Sequence, residues 1–461
     1  MTDVRDEWRL VVREPAFRWA CLLLAILTLF CLWNGARFAE DRAVQAQAEI
    51  QRSLDKREGD KETLRKEEAG ETPVNPWGPS EPTHVDWNAA RGPGPLAMLS
   101  FGREDIEPLS ATVSLGMTRT DNLFRKYQFG SPLALAAGRF DAGFLVVLLL
   151  PLFVLALGYN VVSQERESGR LRLVQVQGAG VGARMFRRLL LRLSPVYVVI
   201  PVILGIGLVL GLPAGRALLW SVSALLYIII WTGIVALIAA LPRRSELLAL
   251  LAAGLWLFLA ILLPAIGQGI AQAVSPTPSS FEIINGVRDA EVKANRRLME
   301  NLDNYVSDHP ELMDGDPTAD DWAAKLYVSQ MVVEKDVAPI VTAHQQSGDT
   351  QARWLHALRF LSPTATLDQL LADIAGTGPS RQRAYEDQAA QFLLDWRAQF
   401  SPMIFKRERV RAADIDGLPR FTFKEPKIET SSMIASIIYL FALGMILLIL
   451  SYKTFLRFDR Y

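Results

Sequence analysis

Only two cysteines occur in 461 residues, Cys21 and Cys31, and both lie in the same apolar run, so they cannot close an extracytoplasmic disulfide or act as a thiolate metal pair. They read as small packing residues. Histidine is scarce as well. His84, His309, His344 and His356 are scattered without ligand spacing, and no metal site follows from them. The patterns GxxxxGK[ST], HExxH, GxSxG and CxxC are all missing, which removes the usual signatures of ATP hydrolysis, zinc peptidase, serine hydrolase and thiol redox chemistry. No catalytic residue, no metal and no cofactor bound by this chain is expected, and no nucleic-acid partner.

Charge is missing where it says most. Six apolar stretches, 17–36, 143–163, 193–213, 217–241, 247–267 and 433–452, are long enough to cross a hydrocarbon core as helices, and Arg18, at the edge of the first, is their only charge. A long side chain at that depth reaches the headgroups. Without Asp, Glu, Lys or Arg at mid-depth, ion- or proton-coupled transport is disfavoured. Trp19 and Trp33 bracket the first stretch as interfacial anchors, acids accompany the arginines before it, and no small-x-small site follows, so it reads as a retained helix and not a cleaved signal. Pro151, Pro195, Pro201 and Pro264 predict bends, and Gly205, Gly207 and Gly211, the last two a small-xxx-small pair, predict close helix packing. The expected fold class is an α-helical polytopic membrane protein with six transmembrane helices and mainly helical extracytoplasmic insertions.

Positive charge is retained in the cytoplasm, and this orients the chain. With the amino terminus inside, segments 1–18, 164–192, 242–246 and 453–461 hold sixteen Lys or Arg against eight Asp or Glu, leaving 33 basic and 41 acidic residues of the 49 of each. The expected site is the bacterial inner membrane, multi-pass, with both termini cytoplasmic. None of the cytoplasmic pieces is long enough to bury a core of its own.

The extracytoplasmic mass then comprises 37–142 and 268–432. Residues 43–70 are rich in helix formers with few bulky apolar residues and predict an exposed helix. The next 26 residues, ETPVNPWGPSEPTHVDWNAARGPGPL, contain six prolines and are expected to lack regular structure, with Trp77 and Trp87 as packing anchors or ligand contacts. In 268–432, apolar residues recurring at three and four predict helices near 287–307, 318–345, 350–374 and 379–400, separated by HPELMDGDP, QQSGD and GTGPS. Asp368, Asp373 and Glu386 are the carboxylates to weigh for a membrane enzyme, and a solvated helix face is the plainer reading of them.

The longest cytoplasmic piece reads SQERESGRLRLVQVQGAGVGARMFRR from residue 163. Burying its seven arginines (164–192) in lipid would cost on the order of 20 kcal/mol. Glu165 and Glu167 suit the start of a short surface helix, and Gly178, Gly180 and Gly182 permit a reversal before the third span. PLFVLALGYNVVSQERESGRLRLVQVQG resembles the end of the second span and the following loop of ABC-2-type exporter permeases, whose usual pattern is Glu-Arg-Glu-x-Gly-Thr-Leu. Glu165, Arg166, Glu167, Gly169 and Leu171 match; Arg170 stands where Thr is common. SPLALAAGRFD, FLSPTATLDQLLADIAGTG, QFLLDWRAQFSP and LPRFTFKEP are similar to an uncharacterised subfamily with large extracytoplasmic domains after spans one and five.

The resemblance implies that 164–192 carries a coupling helix docking into a separate cytoplasmic ABC ATP-binding subunit, so that ATP is bound by the partner. It implies two permease copies, or a related pair, in a dimeric exporter surrounded by membrane lipid. Residues 1–16, with Trp8, Val11 and Val12 opposite Arg9 and Arg13, would be the amphipathic elbow of that family. A subunit that transmits motion to a periplasmic protein without moving solute is the alternative.

Overall fold

The computed structural model describes residues 4–116, 140–169, 180–276, 280–313, 317–318, 320–427 and 429–457. It is a mainly helical polytopic membrane protein. Its elements are α1 Val4–Arg13, α2 Pro15–Glu68, β1 Asp86–Ala90, β2 Ser110–Ser114, α3 Ala142–Glu167, α4 Val181–Val209, α5 Ala214–Ala240, α6 Ser245–Val274, α7 Ser280–Arg296, α8 Leu298–Asp308, α9 Trp322–Leu358, α10 Pro363–Ala375, α11 Pro379–Phe405, α12 Ala412–Gly417 and α13 Thr430–Leu456. Six of these, α2, α3, α4, α5, α6 and α13, are long and apolar enough to cross a membrane.

The spans alternate in direction, so both termini lie at one end of the bundle, the loop end, and the large insertions at the other, the domain end. α5 is the most enclosed span and carries the buried rings of Trp220, Tyr227 and Trp231, whereas α6 and α13 expose apolar faces such as Leu250, Phe258, Phe441 and Ile446. Such faces are stable only against lipid. Helices touch where glycine removes a side chain: a Cβ on Gly233 would meet Leu447 at 2.7 Å, and one on Gly158 would meet Leu189 and Val235 at 2.9 Å. The expected Gly207/Gly211 packing pair is not one of these places, because Gly211 ends the α4 turn at φ +87° and a Cβ on Gly207 would meet Leu212 of that same turn.

Three expectations about the insertions change. The first span and the exposed helix after it are a single helix, α2, roughly 80 Å long for its 54 residues. Within the proline-rich segment, β1 pairs antiparallel with β2, Trp87 opposite Val113; the prolines flank the strand at 82 and 93 and spare it. QQSGD does not end a helix: α9 runs through it, tied to the end of α6 by Gln351 Nε2 donating to the Ser275 carbonyl at 2.6 Å. Tertiary contact there outweighs the helix-breaking tendency of Gly348.

The two insertions build one domain. Its core joins Leu64 of α2, Trp87, Val113 and Leu115 of the β pair, and Tyr327, Phe392, Trp396 and Phe400 of α9 and α11. One buried ion pair crosses between the insertions, Arg381 with Glu104, and Arg91 with Glu107 at 3.0 Å is buried within the first. Glu104 also accepts from the Gly94 amide at 3.0 Å. The Arg57 guanidinium lies over the Trp87 ring at 4.4 Å, so Trp87 is a packing anchor, while Trp77 stands exposed, edge-on to His84.

One element of this domain enters the span bundle. α10 runs along α5 with Arg216 Nη1 donating to the Ile374 carbonyl at 3.4 Å near one end and the Thr364 hydroxyl 2.9 Å from Tyr227 Oη near the other. Leu367, Leu370, Leu371 and Ile374 belong to the span core and not to the domain core. Tyr227 lies fourteen residues from Leu241, roughly 21 Å from the loop end, and a hydrocarbon core is about 30 Å thick. The amino-terminal end of α10 therefore sits about two thirds of the way across. Its other end is clamped by residues 92–104: Leu96 N donates to the Ala375 carbonyl at 3.0 Å and Arg103 N to that of Thr377 at 3.2 Å.

Candidate functional site

The end of α3 carries the residues singled out from the sequence. α3 continues to Glu167, the chain then turns at Gly169 with φ +73°, and α4 begins at Val181. Arg170 and Leu171, with the rest of 170–179, lie outside the described residues. MFRRLLLR enters the third span as expected, being part of α4, so its arginines are displayed along that helix at the loop end.

Each acid of the motif has a structural partner. Glu165 is buried, and its Oε1 accepts from Arg188 Nη1 at 2.6 Å. Glu167 accepts from the backbone amide of Ser245 at 2.8 Å and from its hydroxyl at 3.0 Å, so it covers the exposed donors that begin α6. Arg166 Nη1 donates to the Leu241 carbonyl at 3.4 Å, closing the end of α5. Ser163 and Ser245 share a hydroxyl contact at 2.8 Å. The Glu-Arg-Glu triplet thus ties α3 to α4, α5 and α6 at once.

A second set of residues extends the junction to the amino terminus. Arg192, 4% exposed, reaches Glu14 at 2.6 Å, Asn160 at 3.1 Å and Gln164 at 3.3 Å. Arg187 grips Glu7 of α1 with two nitrogens. Arg18 donates to the carbonyls of Val12 and Arg13, closing α1 against the start of α2, and Val11 is fully buried beneath it. Glu7, Glu14, Asn160, Gln164, Arg187, Arg188, Arg192 and Ser245 were not singled out from the sequence. A signal was present: Asn160/Gln164 and Arg188/Arg192 are each spaced by four, which aligns both pairs on facing helix surfaces.

Close packing fixes α4 in this junction. A Cβ on Gly182 would meet the Phe455 carbonyl oxygen, and Phe186 stacks edge-on to Phe455 at 5.6 Å, so the start of α4 is pressed on the end of α13. All six spans except α13 meet in the polar network, and α13 is held by this contact.

The three carboxylates weighed for an enzyme do not converge. Asp368 borders a cavity beside α3 and α6, Asp373 lies against Gly378 at the end of α10, and Glu386 accepts from Gln382 Nε2 at 2.8 Å on α11. Asp368 is exposed, as the plainer reading expected, but toward the space between α10, α3 and α6, and Asp373 is half-buried. Among the described residues no group of three or more His, Cys, Asp or Glu is placed to hold a metal.

Residues 280–424 match a family model described as Domain of unknown function (DUF3526). The DUF3526 region covers α7 to α12 and so includes α10, whose apolar residues pack in the span core. No curated protein and no solved structure matches the chain.

Proposed function

We propose that the chain is the permease subunit of an ABC-2-type exporter, and that residues 164–171 couple it to a separate ATP-binding subunit on the cytoplasmic side. The observation that carries this reading is the junction itself. Glu165, Arg166 and Glu167 join α3 to α4, α5 and α6, so force applied to the loop after Gly169 reaches several spans through ion pairs and helix-end hydrogen bonds together. A loop that served only to hold topology by its charge would have no need of such bonds. ATP is bound by the partner, no catalytic residue or cofactor is assigned to this chain, and two permease copies or a related pair form the pore-bearing dimer in the bacterial inner membrane.

The test is to purify the tagged chain from its native membrane, identify any ABC ATP-binding subunit that accompanies it, and reconstitute the pair. Gly169→Pro changes a residue at φ +73°, which proline cannot adopt, and should leave the protein inserted and the pair co-purifying while nucleotide-dependent transport is lost. Full transport by that variant would sink the coupling assignment.

A second reading has its own observation. α2 runs unbroken from Pro15, next to Glu14 in the junction, to Leu64 in the domain core. A rigid rod between the two suits a subunit that moves its outer domain against a periplasmic protein. Nucleotide-dependent motion of the domain without solute flux would favour this reading.

A further inference from the structure

Around the inserted helix the packing opens. One cavity of about 370 Å³ lies between α3, α6, α9 and α10, and a second of about 460 Å³ lies between α3, α10 and the 100–106 turn. Val147, Leu148, Asp368 and Gln369 border both, so the two meet along one face of α10. Together they fall within the ~300–1,000 Å³ of ordinary small-molecule sites.

The first is walled mainly by apolar groups, Val147 and Leu148 of α3, Ala260, Leu263 and Pro264 of α6, and Leu355 and Leu358 of α9. Its far wall, α6, turns Phe258, Ile261, Leu262 and Ile266 toward lipid, so only one helix separates the cavity from the hydrocarbon. Both long walls are loosened at that depth, because α3 and α6 each carry a π turn, Leu145–Leu149 and Phe258–Leu262, just before a proline. At the meeting point of the two cavities stands Asp368, its side chain exposed to that space.

Asp368 has no ion pair or hydrogen bond among the described residues. The two arginines that border these spaces bond other groups than Asp368, Arg359 to Ser432 at 3.1 Å and Gln369 at 3.4 Å, and Arg103 to Glu107 at 3.8 Å. Asp141 and Asp105 line the second cavity, and Asp141 is already occupied by the amides of Phe101 and Phe144 at 2.7 and 2.6 Å. An unpartnered carboxylate that faces the space, beside other acids and above an apolar chamber, is complementary to one kind of guest, a cation with a hydrocarbon tail.

We propose that this space binds a cationic amphiphile, its ammonium group against Asp368 and its tail between the π turns of α3 and α6. The site goes beyond the permease reading and stands without it, since binding requires no ATPase. The test uses the full chain in phosphatidylcholine nanodiscs and a long-chain alkylammonium with a photoreactive diazirine at the tail end, with adducts located by peptide mass spectrometry. Adducts are expected at residues 147–148 and 260–264, reduced roughly tenfold, the loss of about 1.4 kcal/mol, in Asp368→Asn and retained in Asp368→Glu. Leu263→Trp, which fills the chamber from α6 without touching the carboxylate, should also remove them and serves if Asp368→Asn does not fold. Suppression by added phosphatidylethanolamine would place the ammonium on a lipid headgroup, and no suppression would place it on a free amphiphile; both keep the assigned chemistry. Equal labelling by an alkyl sulfate of the same length, or labelling unchanged in Asp368→Asn and Leu263→Trp, would overturn the assignment.

Discussion

Arg192 shows what a single charge does at the loop end. Its guanidinium is nearly enclosed and bonds Glu14, Asn160 and Gln164, so truncation removes the donor from Asn160 and Gln164 of α3 and leaves Glu14 only the longer contact with Arg188 at 3.5 Å. Leaving these acceptors unpaired costs about 1–3 kcal/mol, and Arg192→Ala is expected to lower the melting temperature of the detergent-solubilised protein below that of the exposed control Arg243→Ala. Two carboxylates in the domain set opposite pH responses. Burial raises the Asp373 carboxyl from 3.8 to about 6, so the folded protein binds its proton more tightly than the unfolded chain. Stability from this group therefore falls as pH rises between roughly 4 and 6, and Asp373→Asn should flatten that part of the profile. Arg407 beside Asp321 holds that carboxyl well below its ordinary range. Its contribution is complete above the unfolded value and is lost only as the solution becomes more acidic, and Asp321→Asn should remove the loss. At this scale the sequence was legible in part. The Glu-Arg-Glu triplet stood out because it is contiguous, whereas the partners that hold it, from Glu7 to Ser245, are scattered and become neighbours only through helix packing.

At the scale of elements, the π turns explain why Pro151 and Pro264 are tolerated in α3 and α6. Pro151 supplies no N–H, and the Val147 carbonyl in the turn before it is taken instead by Tyr227 Oη at 2.9 Å; the neighbouring Leu148 carbonyl accepts from Trp256 Nε1 at 3.2 Å. On α6, Pro264 follows the second π turn, and Ser362 Oγ donates to the Leu259 carbonyl at 2.9 Å. Side chains from α5, α6 and the start of α10 thus replace bonds that the prolines remove. Tyr227→Phe should then cost about 1–3 kcal/mol, the penalty of an unsatisfied buried group. The cost should shrink in a Pro151→Ala background, where a backbone N–H returns, and a double-mutant cycle on thermal stability reads the coupling. Six spans were visible from hydropathy, since each is a long uncharged run. The path of α10 was not, because FLSPTATLDQLLADIAGTG carries an amphipathic helical pattern that looks the same whether its apolar face meets a domain or a bundle. Ser362 and Thr364, small hydroxyls at its start, become meaningful only once the Leu259 carbonyl and the Tyr227 hydroxyl that they meet are known.

For the whole molecule, the decisive feature is that the outer domain is assembled from pieces far apart in sequence. The DUF3526 region supplies Tyr327, Phe392, Trp396 and Phe400, but Leu64, Trp87, Val113 and Leu115 come from the first insertion, and α10 belongs to the spans. Residues 280–424 expressed alone should therefore expose core surface, bind an apolar dye and unfold without a cooperative transition. Cooperative unfolding of that fragment would contradict the composite core. The same assembly fixes what can move: α2 joins the junction to the domain as one helix and α10 joins the domain to the bundle, so the domain is attached to the spans at two places with different depths. Orientation across the membrane decides which partners each end can meet. The charge distribution expects the loop end inside. With Cys21 and Cys31 replaced by alanine, Trp77→Cys at the exposed domain surface should react with a membrane-impermeant maleimide on intact spheroplasts, and Arg243→Cys between α5 and α6 should react only after permeabilisation. The reverse pattern would put the loop end outside, beyond reach of a cytoplasmic ATPase, and would end the coupling proposal however well its residues are joined.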